Sequence, residues 1–215
     1  MTSSPRQPAE PTEPAYADRV FRSPFGIAGG VLLLALGAWI GGDALVRGEG
    51  RTPWLALAAL LFAVPLVVAF TIRPAVHAND DRLRIRNPFR SIVLPWGAVA
   101  DVRASYSSEV FTQDGAKYQL WAVPVSLRQR KRAARRQSAK ALDDPYGRTT
   151  VHARVTDSNS RTAPADQTVT DLRALAERSA SRPTAQGEPQ VRWAYEVLAP
   201  ALAGLLVLVV LLATG

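Results

Sequence analysis

Cysteine is absent from all 215 residues, which excludes disulfides, thiolate metal sites and cysteine nucleophiles. Histidine occurs only at His77 and His152, and neither has a partner at metal-ligand or catalytic spacing. Ordinary solvated or packed roles account for both. No glycine-rich loop cradles a phosphate, no serine sits on a nucleophile elbow, and no histidine pair marks a zinc helix. The doublets Asp80-Asp81 and Asp143-Asp144 are turn pairs without a partner suited to acid–base work. The chain is therefore expected to carry no catalytic residue, no metal and no cofactor, and is not read as an enzyme. Lysine is scarce as well, at Lys117, Lys131 and Lys140, so arginine dominates the 26 basic residues. Against 18 acids they leave a net charge of +8, which suits anionic lipid, nucleic acid or an acidic protein.

Long apolar runs are what the chain has in plenty. They fall at residues 25–42, 54–72 and 197–213, near the ~20 residues a helix needs to cross a hydrocarbon core. Residues 1–23 are rich in Pro, Glu and Ser, and 1–23 is read as a disordered tail. The first run starts too deep for a secretory signal and is taken as a retained helix at 24–46. The second is a helix at 53–72, capped by Thr52 with Pro53 in its first turn and bent at Pro65. The third spans 193–214, opened by Arg192, Trp193 and Tyr195 at the interface. Gly26, Gly30, Gly37 and Gly41 share one face of the first helix and let another helix approach closely. Packing within the chain is the plainer use of that stripe, and a partner helix the sharper one. Asp43 lies at the end of this helix, within reach of Arg47 and water.

Orientation follows from charge. Twenty-one of the 26 basic residues lie between the second and third spans, and Arg19, Arg22, Arg73 and Arg192 flank spans on one side. The positive-inside rule then puts the N-terminus and the middle domain in the cytoplasm and the C-terminus outside.

From Val76 the periodicity changes to two. Arg82-Leu83-Arg84-Ile85-Arg86 alternates as a half-buried strand does, between the turn-forming Asn79-Asp80-Asp81 and Asn87-Pro88. Residues 91–94, 99–104, 109–112, 117–123 and 149–155 read as further strands, with Gln113-Asp114-Gly115-Ala116 a hairpin turn. A helix follows, capped by Thr168 or Thr170, with Val169, Leu172, Leu175 and Ala176 as its apolar stripe, ending near Ala180. Residues 182–192 read as a linker. Strands followed by one helix suit a small curled sheet plugged by that helix.

The run from Asp81 through Arg82, Leu83, Arg84, Ile85, Arg86, Asn87, Pro88, Phe89 and Arg90, then Ile92 to Trp96, Val99 and Val102, resembles bacterial pleckstrin-homology-like (PH-like) domains. More narrowly it resembles the membrane-anchored actinobacterial group typified by low-molecular-weight antigen proteins. The resemblance implies a seven-stranded, partly open barrel closed by a C-terminal helix, and a bacterial plasma-membrane location. It supplies no site residues. The expected fold is three transmembrane helices plus a small α+β domain at 73–181. Two features depart from that pattern: a basic insertion at 126–148 and a third span.

Two basic constellations are candidate contacts for lipid or a partner. Arg82, Arg84 and Arg86 share one strand face, where guanidinium forks match phosphate; a wet strand face is the plainer account. Arg128, Arg130, Lys131, Arg132, Arg135, Arg136 and Lys140 put seven basic residues within thirteen positions. Near a cytoplasmic leaflet each is worth ~1 kcal/mol, and a solvated loop is the plainer account. Nucleic acid ranks low, for no aromatic interleaving supports it. Trp96 and Trp121 read as core or interface anchors. The expectation is a non-catalytic membrane-anchored interaction module that binds a protein partner, anionic lipid headgroups or both. The alternative is an accessory subunit of a transporter or envelope assembly, bound through the glycine stripe. Because the domain is tethered at both ends, reversible recruitment is unnecessary, which favours a partner in the same membrane.

Overall fold

A computed structural model describes residues 18–125 and 164–214. The basic insertion with Arg128, Arg130, Lys131, Arg132, Arg135, Arg136 and Lys140, the strand expected at 149–155 and His152 lie outside the described residues, as does the tail up to residue 17.

Three helices are long and apolar enough to cross a membrane: α1 (Pro24–Arg47), α2 (Thr52–Val67) continued by a π-helical turn (Val68–Ile72), and a last helix at Tyr195–Ala213. Ser23 caps α1, its hydroxyl accepting from the Gly26 amide at 3.2 Å. Thr52 does not cap α2. It is the first helical residue, its amide already bonded to the Glu49 carbonyl through a turn with Gly50 at φ +59°. That left-handed glycine starts the helix one residue early. α2 runs on through Pro65, which has no amide to donate, and widens into the π turn three residues later.

α2 packs against both other long helices. A Cβ on Gly30 would fall on the Thr71 side chain, one on Gly41 would lie 2.7 Å from Leu60, and one on Gly26 would touch the Thr71 carbonyl at 3.5 Å. Three of the four stripe glycines therefore face the chain's own second helix. Around Gly37 nothing lies within 4 Å of a Cβ. On the other side of α2, a Cβ on Gly204 would overlap the Phe62 backbone. Arg51 closes the hairpin end by donating to the Leu211 carbonyl and to the Thr214 hydroxyl, a cation at a helix C-terminus.

The polar domain has two sheets around one core. The strands are β1 (Arg19–Phe21), β2 (Ala75–Ala78), β3 (Arg82–Arg86), β4 (Arg90–Pro95), β5 (Val99–Ala104), β6 (Ser108–Thr112), β7 (Lys117–Gln119) and β8 (Gln190–Trp193). All described pairings are antiparallel, in the orders β1-β2-β3-β4-β8 and β5-β6-β7. Alternation decides the faces: Leu83, Ile85, Ile92 and Leu94 point inward and are essentially fully buried, while Arg82, Arg84 and Arg86 point out. Trp96 is fully buried, with its indole nitrogen donating to the Asn79 carbonyl at 2.7 Å. The helix α3 (Pro164–Ser179) lays Val169, Leu172 and Leu175 on this core. It begins earlier than Thr168, because Pro164 and Asp166 suit a first helical turn. Thr170 is thus interior, and its hydroxyl bonds the Asp166 carbonyl. The last helix is α4 (Tyr195–Ala213).

Two segments differ from their sequence reading. Residues 19–21, assigned to a disordered tail, form β1; residues 190–193, assigned to a linker and to the start of a span, form β8. Both are short and their order comes from a partner strand. The linker also holds a 3₁₀ turn (Pro183–Ala185) whose Ala185 is buried in the core.

Leucine at Gly204 should separate α4 from α2 and lower the midpoint of thermal unfolding in detergent, since overpacking typically costs ~1–3 kcal/mol. Leucine at Gly37 should leave that midpoint unchanged.

Candidate functional site

The sheet edges are the segments that lead into and out of the three long apolar helices. Arg22 and Ser23 alone separate β1 from α1, Arg73 and Pro74 separate the π turn from β2, and Ala194 separates β8 from α4. The end of the sheet carrying Phe21, Ala75, Arg86, Ser91 and Arg192 is therefore the end that adjoins the long apolar helices.

Arg73 joins the pieces there. Its Nε donates to the Asn87 carbonyl at 3.2 Å, Nη2 to the Ser91 hydroxyl at 3.1 Å, and Nη1 to Glu196 Oε1 at 2.6 Å. One guanidinium thus ties α2, the β3–β4 turn, β4 and the start of α4. Its side chain is 15% exposed and that of Glu196 63%, so the fork into the domain should outweigh the partly solvated ion pair. Around this junction Phe70 meets Phe89 edge-on at 5.2 Å and Trp121 at 5.7 Å, and Arg90 lies over Trp193 at 4.6 Å. Trp121, Trp193 and Tyr195 stay exposed beside the long helices.

The outer face of β3, β4 and β8 forms the floor of an open groove of about 430 Å³. Arg82, Arg84 and Arg86 line it together with Arg192, Ser91 and Gln190. The segment carrying Thr184, Gln186 and Glu188 makes one wall. Asp81 sits at the distal end, accepting from the Thr184 hydroxyl at 2.6 Å, and Arg182 pairs with Asp80 nearby at 3.1 Å. The guanidiniums of Arg84, Arg86 and Arg192 make no hydrogen bond or close ion pair with another described residue, although Arg86 contributes to the field at Glu196. His77, opposite Arg84 in the register, has a buried, unpartnered Nε2. Burial, and then the positive field of Arg86, Arg84 and Arg22, holds its pKa below the ordinary 6.5, with Asp18 opposing.

The structure thus gathers Arg82, Arg84 and Arg86 into a concave basic surface. Reasoning from sequence did not place Arg192, Ser91 or Arg73 with them. For Arg73 and Arg192 the signal was their nearness to a span; Ser91 carried none. The acids Asp101 and Glu109 belong elsewhere. Asp101 is held below the usual carboxylate range by its hydrogen bond from Arg103 and also pairs with Arg173 of α3. Among the described residues no group of three or more His, Cys, Asp or Glu is placed to hold a metal.

A family model described as bacterial PH domain matches residues 73–184. The chain belongs to that family. The match carries the broad family and not the narrower membrane-anchored group. It runs from Arg73 to the 3₁₀ turn, so β1 and β8 lie outside it and widen the PH domain's sheet on both edges. Within the matched range six strands are described; the expected seventh, at 149–155, falls outside the described residues. No curated protein and no solved structure matches the chain.

Replacing Arg73 with Met should lower stability by on the order of 2 kcal/mol. Glu196→Gln should cost less than ~1 kcal/mol. Thermal unfolding of the two variants in detergent checks the order, and equal losses would give the ion pair the larger share. The His77 shift has a definite sign. The unfolded imidazole takes its proton near pH 6.5, while the folded one resists until lower pH. Stability should therefore fall as pH drops from about 7 through that window. His77→Gln should flatten the slope of the unfolding midpoint between pH 7.5 and 5.5.

Proposed function

We propose that this chain is a membrane-anchored, non-catalytic interaction module. Its PH domain is held at the cytoplasmic face, with the C-terminus outside, and the basic outer face of its sheet meets acidic groups of the same membrane: a resident protein partner, positioned by anionic lipid. Membership of the bacterial PH family supports the module reading, since PH domains are generally non-catalytic. The observation that carries the rest is the groove itself, with three arginines lacking a described ion-pair partner and one end at the junction with the helices. The excess of arginine on the domain's side of the spans supports the orientation. The basic insertion, with Arg128 to Arg136, would add to the same field.

The alternative, a subunit docked through the glycine stripe, loses support from the geometry. Gly26, Gly30 and Gly41 face the chain's own α2, which leaves Gly37 alone on open surface.

A photo-crosslinking residue placed at position 84 in native membranes should give a discrete membrane-resident adduct. The same residue at position 106, on the β5–β6 turn where Tyr106 is 87% exposed, should not. Identical adducts from both positions would overturn the reading.

A further inference from the structure

Building on that reading, we propose that the membrane-proximal end of the groove is a phosphate site for a phospholipid headgroup in the leaflet the domain faces. The register sets Arg86, Ser91 and Arg192 in one row across β3, β4 and β8. Neighbouring strands lie ~4.8 Å apart, so two guanidiniums flank one hydroxyl at a spacing that brackets a phosphate. Arg84 stands one row further out on the same face.

The hydroxyl is prepared to donate. Ser91 Oγ accepts from Arg73 Nη2 at 3.1 Å, which leaves its own proton for an oxyanion above it. Neither Arg86 nor Arg192 has a described carboxylate within ion-pair distance; Glu196, which feels the field of Arg86, is bonded to Arg73 instead, so both forks are available for charge-assisted bonds.

Two features select a lipid over an extended acidic peptide. Charge varies along the groove: Arg86 and Arg192 stand at the membrane end, Asp81 and Glu188 at the far end. A peptide bearing acids along its length would bring some of them against those carboxylates. A phosphate at the near end, with a hydroxyl-bearing headgroup reaching toward Gln190 and Glu188, meets each group with its complement. Depth is the second feature. Arg192 precedes α4 by only two residues, beside Trp193 and Tyr195, where phosphates of a bilayer lie. The volume of about 430 Å³ holds a phosphate with a small polar head, since a water occupies ~30 Å³.

The test uses the full chain, exchanged into detergent and titrated with dioleoyl phosphatidylglycerol, dioleoyl phosphatidylcholine or inorganic phosphate, with bound lipid counted by native mass spectrometry. Phosphatidylglycerol should bind the unaltered chain, and Arg86→Gln and Arg192→Gln should each weaken it about tenfold. Arg178→Gln, an equal loss of charge on α3, should leave it unchanged, and Arg86→Lys should restore part of the affinity. Unchanged unfolding midpoints in the glutamine variants would show that lost binding is not lost folding. Equal weakening by Arg178→Gln would overturn the site. So would displacement of the lipid by equimolar inorganic phosphate, which would mean a soluble anion, or by an oligoglutamate peptide, which would mean a protein-binding face. If Arg86→Gln kept its lipid while position 84 still gave its adduct, the phosphate site would fall and the interaction module would stand.

Discussion

Everything in this protein that bears on function depends on the antiparallel pairing of β1 with β2 and of β8 with β4. These ladders are short, three and four residues, yet they join the sheet to the long apolar helices through only one or two residues at each of three crossings. A slip of one residue in either ladder would turn Phe21 out of the core or bring Arg192 down into it. Register is therefore fixed by burial, and with it the face that the domain presents beside the long apolar helices. Arg73 reinforces the joint from beneath, because one planar fork satisfies a turn carbonyl, a strand hydroxyl and a helix carboxylate at once.

That geometry gives the arginines their meaning. On a freely tumbling domain, Arg82, Arg84 and Arg86 would be the wet side of a strand whose other side, Leu83 and Ile85, builds the core. Here β8 brings Arg192 into the row, and the sheet cannot turn away. With the helices in a bilayer, as proposed, the row would stay close to the headgroups, within reach of a field that decays over ~8–10 Å at physiological salt. His77, on the neighbouring strand β2, feels the positive field of these arginines: burial first, and then the guanidiniums of Arg86, Arg84 and Arg22, depress its pKa.

Much of this was legible in the sequence, and the rest was not for identifiable reasons. The strict alternation at Arg82–Arg86 and the stripe of Val169, Leu172 and Leu175 are local patterns, readable because a strand and a helix each repeat their buried face. The close approach at Gly30 and Gly41 was foreseeable from spacing, though not the helix they face. β1 and β8 were hidden because neither is long enough to show a period. Arg19-Val20-Phe21 and Gln190-Val191-Arg192-Trp193 become strands only because β2 and β4 offer unpaired edges, a tertiary fact. The groove was half hidden for the same reason: its first three arginines lie on one strand, but Ser91 and Arg192 join them only through pairing across sequence separations of up to about a hundred residues.

Tethering also changes what a binding surface must achieve. A soluble lipid-binding module must gain enough from its ligand to offset the loss of its own translation and rotation. Anchored as proposed, this domain would already have lost both through its helices, and its ligands would be confined to the same plane at high effective concentration. A shallow, open groove with a few well-placed donors is then sufficient, where a recruited module needs a deep and enclosing one. Selectivity in such a site comes from placement more than from total contact. In the proposed site the forks of Arg86 and Arg192 around Ser91 would define where one phosphate sits, and the carboxylates of Asp81 and Glu188 what else could occupy the floor beyond it.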